Sequence, residues 1–224
     1  MRNVLAVITT LAIAALPCFA QAGQSAAPPD LTGVYKPISS RTVLPGGLKN
    51  SGTLTDLALT PAATERVKTV NLNEDPAKMC QPLGPFRMMA RESTKIQILP
   101  VPGMVAILFE NLSHGLIRTV FTERNHPARQ NPLWMGDSVG KWEGNTFVID
   151  TNNFSDATWL NDAGAQHSEA LHLVERVRPI LNGKYLEYKV TADDSKALTK
   201  PYTYIRYYEK LDSEIGEDIC QEDE

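Results

Sequence analysis

EALHLVERVRPILNGKYLEYKVTA, residues 169–192, reads as a β-hairpin. Leu171, Leu173, Glu175 and Val177 alternate with His172, Val174, Arg176 and Arg178, which is the two-residue period of a strand. Asn182-Gly183 is a turn pair that tolerates positive φ, and a second strand is expected over 185–192. The same pattern stands upstream, where Val139–Glu143 and Thr146–Thr151 flank Gly144-Asn145.

Working outward, strands are expected at 31–35, 95–99, 104–111, 116–123 and 202–209, with a weaker one at 53–59. Pro100 to Gly103 turns the chain between two of them. Thr60-Pro61 opens a helix, with Thr60 as N-cap and Pro61 at the first helical position, ending before Asp75-Pro76. Eight or nine strands with short hairpins and one short helix predict an all-β, mainly antiparallel meander. Such a sheet closes, or partly closes, into a barrel of about eight strands that can hold one small ligand, with a sandwich as the alternative.

The chain has 224 residues, a net charge of −4 and no Lys/Arg cluster, so nucleic acid is not an expected partner. Arg2 followed by the apolar run Val4–Leu16 and the small residues up to Ala22 reads as a secretory signal, which leaves 23–224 as one domain. No later stretch is apolar and long enough to span a bilayer. A periplasmic or secreted location follows, and there Cys80 and Cys220 are expected to form a disulfide. Neither cysteine sits in a C-x-x-C or beside a histidine. No metal or other cofactor is expected.

The strand faces and the loop before 169 carry the candidate chemistry. Glu175 shares a face with Leu171, Leu173 and Val177, and Glu110 with Met104, Ala106 and Leu108. Arg118 shares its face with Leu116 and Val120, close enough across a hairpin to meet Glu110. His172 and Arg176 lie opposite Glu175 and form a cationic wall if that face lines a cavity. On the loop, His167 is placed to act as a base with Asp162 as its orienter. Trp134, Trp142 and Trp159 lie near loops, where they would stack on a ring-shaped ligand.

The run NPLWMGDSVGKWEGNTFVIDTNNF, residues 131–154, and TWLNDAGAQHSEALHLVERVR, residues 158–178, resemble a large group of secreted, mostly uncharacterised bacterial proteins. The shared pattern has a D-G-R-x-H-P turn, a W-x-G-D-S-x-G-x-W-E-G-D-T hairpin and an H-S-x-x-L-x-x-x-E-R strand. The likeness covers roughly residues 75–224. This chain has Glu123-Arg124-Asn125 where the turn reads D-G-R and Asn145 where the hairpin has Asp, while His126-Pro127 is kept. The resemblance implies a lipocalin-like barrel and names no activity.

These readings predict a secreted enzyme acting by acid–base chemistry on a small, ring-containing organic molecule in a barrel cavity. Lyase, isomerase or cyclase chemistry fits, because no nucleophile motif, nucleotide loop or metal spacing is visible. His167, Asp162, Glu175, Arg176 and Arg118 are the expected catalytic group. Trp134, Trp142, Trp159, Glu110 and His172 are the expected ligand contacts. The rival is a lipocalin-like carrier of a small hydrophobic ligand without turnover.

Overall fold

The computed structural model describes residues 27–110, 117–128 and 131–216. The expected signal segment, Cys18, His114 and Cys220 lie outside them, and so does the expected Cys80–Cys220 bridge. Among the described residues no helix is long and apolar enough to cross a membrane.

Nine strands close on themselves in sequence order. They are β1 (Gly33–Pro37), β2 (Ile96–Val101), β3 (Met104–Phe109), β4 (Ile117–Phe121), β5 (Asp137–Glu143), β6 (Thr146–Asn152), β7 (His172–Ile180), β8 (Tyr185–Asp193) and β9 (Tyr202–Leu211). β1 pairs antiparallel with β9 and completes the ring, so the sheet has no free edge and is not a sandwich. The count is one above the expected eight, and the barrel is mixed. β4 and β5 run parallel, joined at Val120↔Ser138 and Phe121↔Val139. Parallel neighbours cannot be joined by a tight turn, and fifteen residues separate Phe121 from Asp137 in the sequence. The weak strand expected at 53–59 is absent. That segment makes only isolated bridges nearby, Ser51↔Ile205 and Leu59↔Leu198.

The expected hairpins form with the expected turns. Val139 opposes Asp150 in β5–β6, and Val177 opposes Tyr188 in β7–β8. Period-2 burial then separates inside from outside. In β7, Leu173, Glu175 and Val177 are buried, while His172, Val174 and Arg176 are half-buried on the outer face. The interior is packed with large side chains, among them Tyr35, Phe109, Phe147, Tyr188, Tyr204, Tyr208 and Arg118.

Helix α1 (Pro61–Thr69) begins as expected, with the Thr60 hydroxyl accepting from the Ala63 amide at 3.2 Å. It buries only Ala63 and lies on the outside. Helix α2 (Pro85–Ala90) was not expected. It is six residues long, too short to show a helical period, and its sequence signal is Pro85 at the first position. Phe86, Met88 and Met89 are buried. A helix end leaves carbonyls without partners, and β9 supplies them here. Tyr204 Oη donates to the Phe86 carbonyl at 2.6 Å, Tyr208 Oη to Met89 at 3.0 Å, and Arg206 Nε to Ala90 at 3.1 Å.

Gly140 lies where β5 turns its face inward. A Cβ there would stand 2.4 Å from Phe147 Cζ and 2.8 Å from Val120 Cγ1. Both neighbours are buried, so a methyl has nowhere to go. Gly140→Ala is expected to cost about 1–3 kcal/mol by overpacking, read as a lower urea midpoint at unchanged m-value. An unchanged midpoint would mean that the β4–β5 seam yields easily.

Candidate active site

Three clusters of the described residues bear on the expected chemistry, and the third opens onto a cavity. The first cluster is fully interior. Arg118 Nη1 donates to Glu175 Oε1 at 2.9 Å, and Nη2 reaches Oε2. Nη2 also donates to Thr151 Oγ1 at 2.9 Å and Ser138 Oγ at 3.1 Å, while Tyr188 Oη donates to Glu175 Oε1 at 2.8 Å. Burial alone would lower the Arg118 pKa, but the Glu175 carboxylate more than offsets this and raises it. Burial, reinforced by the Glu175 charge, pushes the Tyr188 phenol well up. Arg118 and Glu175 are thus brought together as a satisfied ion pair, which is a structural arrangement. Glu110 does not meet Arg118. It takes Lys95 Nζ at 2.8 Å and the Gly216 amide at 3.1 Å.

The second cluster surrounds His167, which is 2 % exposed. Its Nδ1 faces the Ser168 carbonyl at 2.9 Å, and a carbonyl only accepts, so Nδ1 carries the hydrogen. Nε2 therefore accepts from Thr158 Oγ1 at 2.6 Å. Burial lowers the pKa of this ring, and the edge of Phe154 packs against it with ring centroids 5.9 Å apart. Both nitrogens are engaged within the fold and the ring is closed off from solvent, so no substrate reaches it. Asp162 does not orient it. Asp162 accepts from Arg87 Nε at 2.7 Å and Arg91 Nη2 at 2.8 Å. His167 shares no hydrogen-bond partner with Asp162 or Glu175 among the described residues. The expected convergence of His167, Glu175 and an arginine is not the geometry of this barrel.

The third cluster lies on the outer wall. A pocket of about 590 Å³ is lined by Thr122, Arg124, His126, Val139, Lys141, Glu143, Val148, Asp150, Val174 and Arg176, among others. Val139, Val148 and Val174 belong to three neighbouring strands and give it an apolar floor. β4 leaves the sheet after Phe121, and the chain that follows forms one side of the pocket. On that chain Arg124 lies over the Phe121 ring, 3.8 Å from its centroid, and forks onto Asp137.

His126 stands between two carboxylates. Nδ1 lies 2.6 Å from Asp137 Oδ1, and Nε2 lies 3.0 Å from Asp150 Oδ1. Asp137 is buried at the start of β5 and Asp150 is half-buried in β6. The other oxygen of Asp150 meets His172 Nε2 at 2.9 Å. Side-chain exposure rises along the chain of contacts, from 23 % at His126 to 41 % at Asp150 and 45 % at His172. A carboxylate forked by Arg124 only accepts, so Nδ1 donates to Asp137, and Nε2 and Asp150 Oδ1 share one proton between them at the edge of the pocket. That is a geometry for proton transfer, with Asp150 and His172 as a route to solvent.

Arg176 joins this pocket from β7. It is ion-paired with Glu143 at 3.0 Å, and the Arg176 hydrogen bond holds Glu143 below the usual carboxylate range. The tryptophans do not line it. Trp159 is buried, Trp142 packs on Phe147 with centroids 5.3 Å apart, and Trp134 is half-buried. Among the described residues, no group of three or more His, Cys, Asp or Glu is arranged to hold a metal ion. Of the expected residues, this cluster takes up only His172 and Arg176. His126, Asp137 and Asp150 carry no such expectation from sequence, although His126-Pro127 and Gly136-Asp137-Ser138 both lie in the recurring motifs that mark the resemblance.

No family model and no curated protein matches this chain. Among solved structures, it is similar to one described as "REP1-NXSQ fatty acid transporter", at 10 % identity and a TM-score of 0.34, over 55 % of this chain and 73 % of that one. A likeness at that score bears on neither fold nor function.

Proposed function

We propose that this chain is a secreted β-barrel enzyme that transfers protons on a small polar organic molecule bound at the outer wall of β5, β6 and β7. His126 is the acid–base group, Asp137 its orienter, and Asp150 with His172 the relay to solvent. Arg176 and Lys141 lie at the pocket rim to hold polar groups of the substrate, and Val139, Val148 and Val174 accept its apolar part. The observation that carries this reading is His126 held between buried Asp137 and half-buried Asp150 at the edge of the pocket. The reaction class is an isomerisation, elimination or cyclisation driven by proton movement. Arg118, Glu175, Tyr188 and Tyr204 are buried in the barrel, which favours a ligand at the outer wall over one at the centre.

The test incubates the purified protein in D2O with a water-soluble metabolite extract and follows conversion and deuterium uptake by mass spectrometry. Wild type is expected to convert at least one compound. His126→Gln is expected to slow that conversion by about 10²–10⁴-fold with an unchanged melting temperature. Full turnover in His126→Gln would refute the assignment. Retention of a compound without conversion by wild type would replace the enzyme by a carrier.

A further inference from the structure

A second pocket, of about 230 Å³, shares no residue with the one above. Thr53, Leu54, Arg87, Ala90, Arg91, Asp162 and Arg206 line it. Arg87 and Arg91 both contact Asp162, and Arg206 lines the same pocket.

Their hydrogen bonds are unevenly satisfied. Arg87 is complete, with Asp75 on Nη1 and Nη2 and Asp162 on Nε. Arg206 is 7 % exposed, and among the described residues it has no carboxylate partner. Its Nε and Nη1 donate to the carbonyls of Ala90, Ser51 and Ile205, its guanidinium lies 4.8 Å from the Tyr204 ring centroid, and among the described residues no hydrogen bond engages Nη2. Arg91 donates through Nη2 to Asp162, while its Nε is buried without a partner. Asp56, on the adjoining loop, is exposed and takes the Thr55 hydroxyl. Counting Arg87, Arg91 and Arg206 against Asp75 and Asp162, the cluster keeps one positive charge. An uncompensated positive charge at a pocket, with Arg91 Nε buried and unpaired and Arg206 Nη2 reachable from solvent, suits an anion as the missing partner.

The geometry points to a binding site for a tetrahedral oxyanion, the phosphate group of a small phosphorylated molecule or inorganic phosphate. A carboxylate is best held side-on by a complete guanidinium fork. Arg206 has committed Nε and Nη1 to carbonyls and Arg91 has Nη2 on Asp162, so each turns one remaining terminal nitrogen to a ligand. Single donors arriving from different arginines suit an acceptor whose oxygens point in four directions. Asp162 carries a side chain that is 70 % exposed, and it stands at the mouth as the anion that an incoming phosphate would displace or share arginines with.

Inorganic phosphate is the probe. Titration followed by calorimetry and ³¹P line width should show saturable binding to the intact protein, weakened about tenfold or more in Arg91→Gln and in Arg206→Lys. Arg91 is partly exposed and holds only Asp162, so Arg91→Gln keeps the reading secure if Arg206→Lys loosens α2. Arg176→Gln, at the outer pocket, should bind phosphate as wild type does. Parallel titrations with glycerol phosphate separate a phosphate ester from the free ion, and tighter binding of the ester would place the organic part toward Thr53 and Leu54. The proposal is overturned if wild type shows no saturable binding, if acetate binds as tightly as phosphate, if both arginine variants bind normally, or if Arg176→Gln is the variant that loses it.

Discussion

Glu175→Gln is expected to destabilise the barrel by about 3–5 kcal/mol, a large part of the stability of a domain this size. The substitution keeps the shape of the side chain and removes only its charge. Arg118 would then hold a positive charge with 2 % exposure and only neutral acceptors around it, the Gln amide oxygen and the hydroxyls of Ser138 and Thr151. Tyr188 would also lose its charged acceptor. The measurement is the urea midpoint at constant m-value. Arg118→Met combined with Glu175→Leu should recover much of the loss, because removing both charges lifts both desolvation penalties. A single-variant loss below about 1 kcal/mol would mean that water reaches the pair and that the interior is wetter than its burial indicates.

That result would also explain how the most anomalous residue of the hairpin misleads. A carboxylate among leucines is visible in the alternation of residues 171–177, and so is the alternative that Arg118 neutralises it. What one strand cannot reveal is which of its faces turns inward. That follows only when nine strands close and β1 meets β9. The two hairpins were legible because Gly144-Asn145 and Asn182-Gly183 admit the positive φ that the turns require, seen at Gly144, Asn182 and Gly183. The parallel β4–β5 seam was not legible. It rests on two residue pairs between strands that fifteen residues separate in the sequence, and no local pattern encodes a partner that far away.

The site divides in the same way. His167, following Gly164 on a loop, looks like a base at a rim, yet tertiary packing closes Phe154 and Thr158 over it. Thr158 in turn packs so closely on Gly84 that a Cβ there would stand 2.7 Å from its hydroxyl. His126 was the better candidate, and its signal was present. The turn at Gly144-Asn145 sets the register that puts Asp150 opposite Val139, two residues from Asp137. Asp137 and Asp150 are thereby fixed on neighbouring strands by local sequence alone. Only the position of His126 between them needed the whole fold.

Arg87→Met should cost about as much as Glu175→Gln, roughly 3–5 kcal/mol, and its pH dependence identifies the cause. Arg87 lies in α2 and is 2 % exposed, with Asp75 at 5 %. Nη1 and Nη2 fork onto the two oxygens of Asp75 at 2.8 and 2.6 Å. Burial pushes the Asp75 carboxyl up, but the Arg87 hydrogen bonds and charge, with the Ala77 amide, bring it net below its ordinary value of 3.8. A folded-state pKa below the unfolded one adds stability above pH 3.8, and that stability is lost as the pH falls through the folded value. In Arg87→Met the guanidinium is gone and burial remains, so Asp75 at neutral pH is a buried anion left with the Ala77 amide and the more distant Arg91 charge. Protonation relieves it. The gap between wild type and variant should therefore be widest near pH 7 and narrow steadily toward pH 4. A gap that stays constant over that range would assign the loss to packing around α2, and the Arg87–Asp75 charge pair would not be what ties the helix to the segment at Asp75.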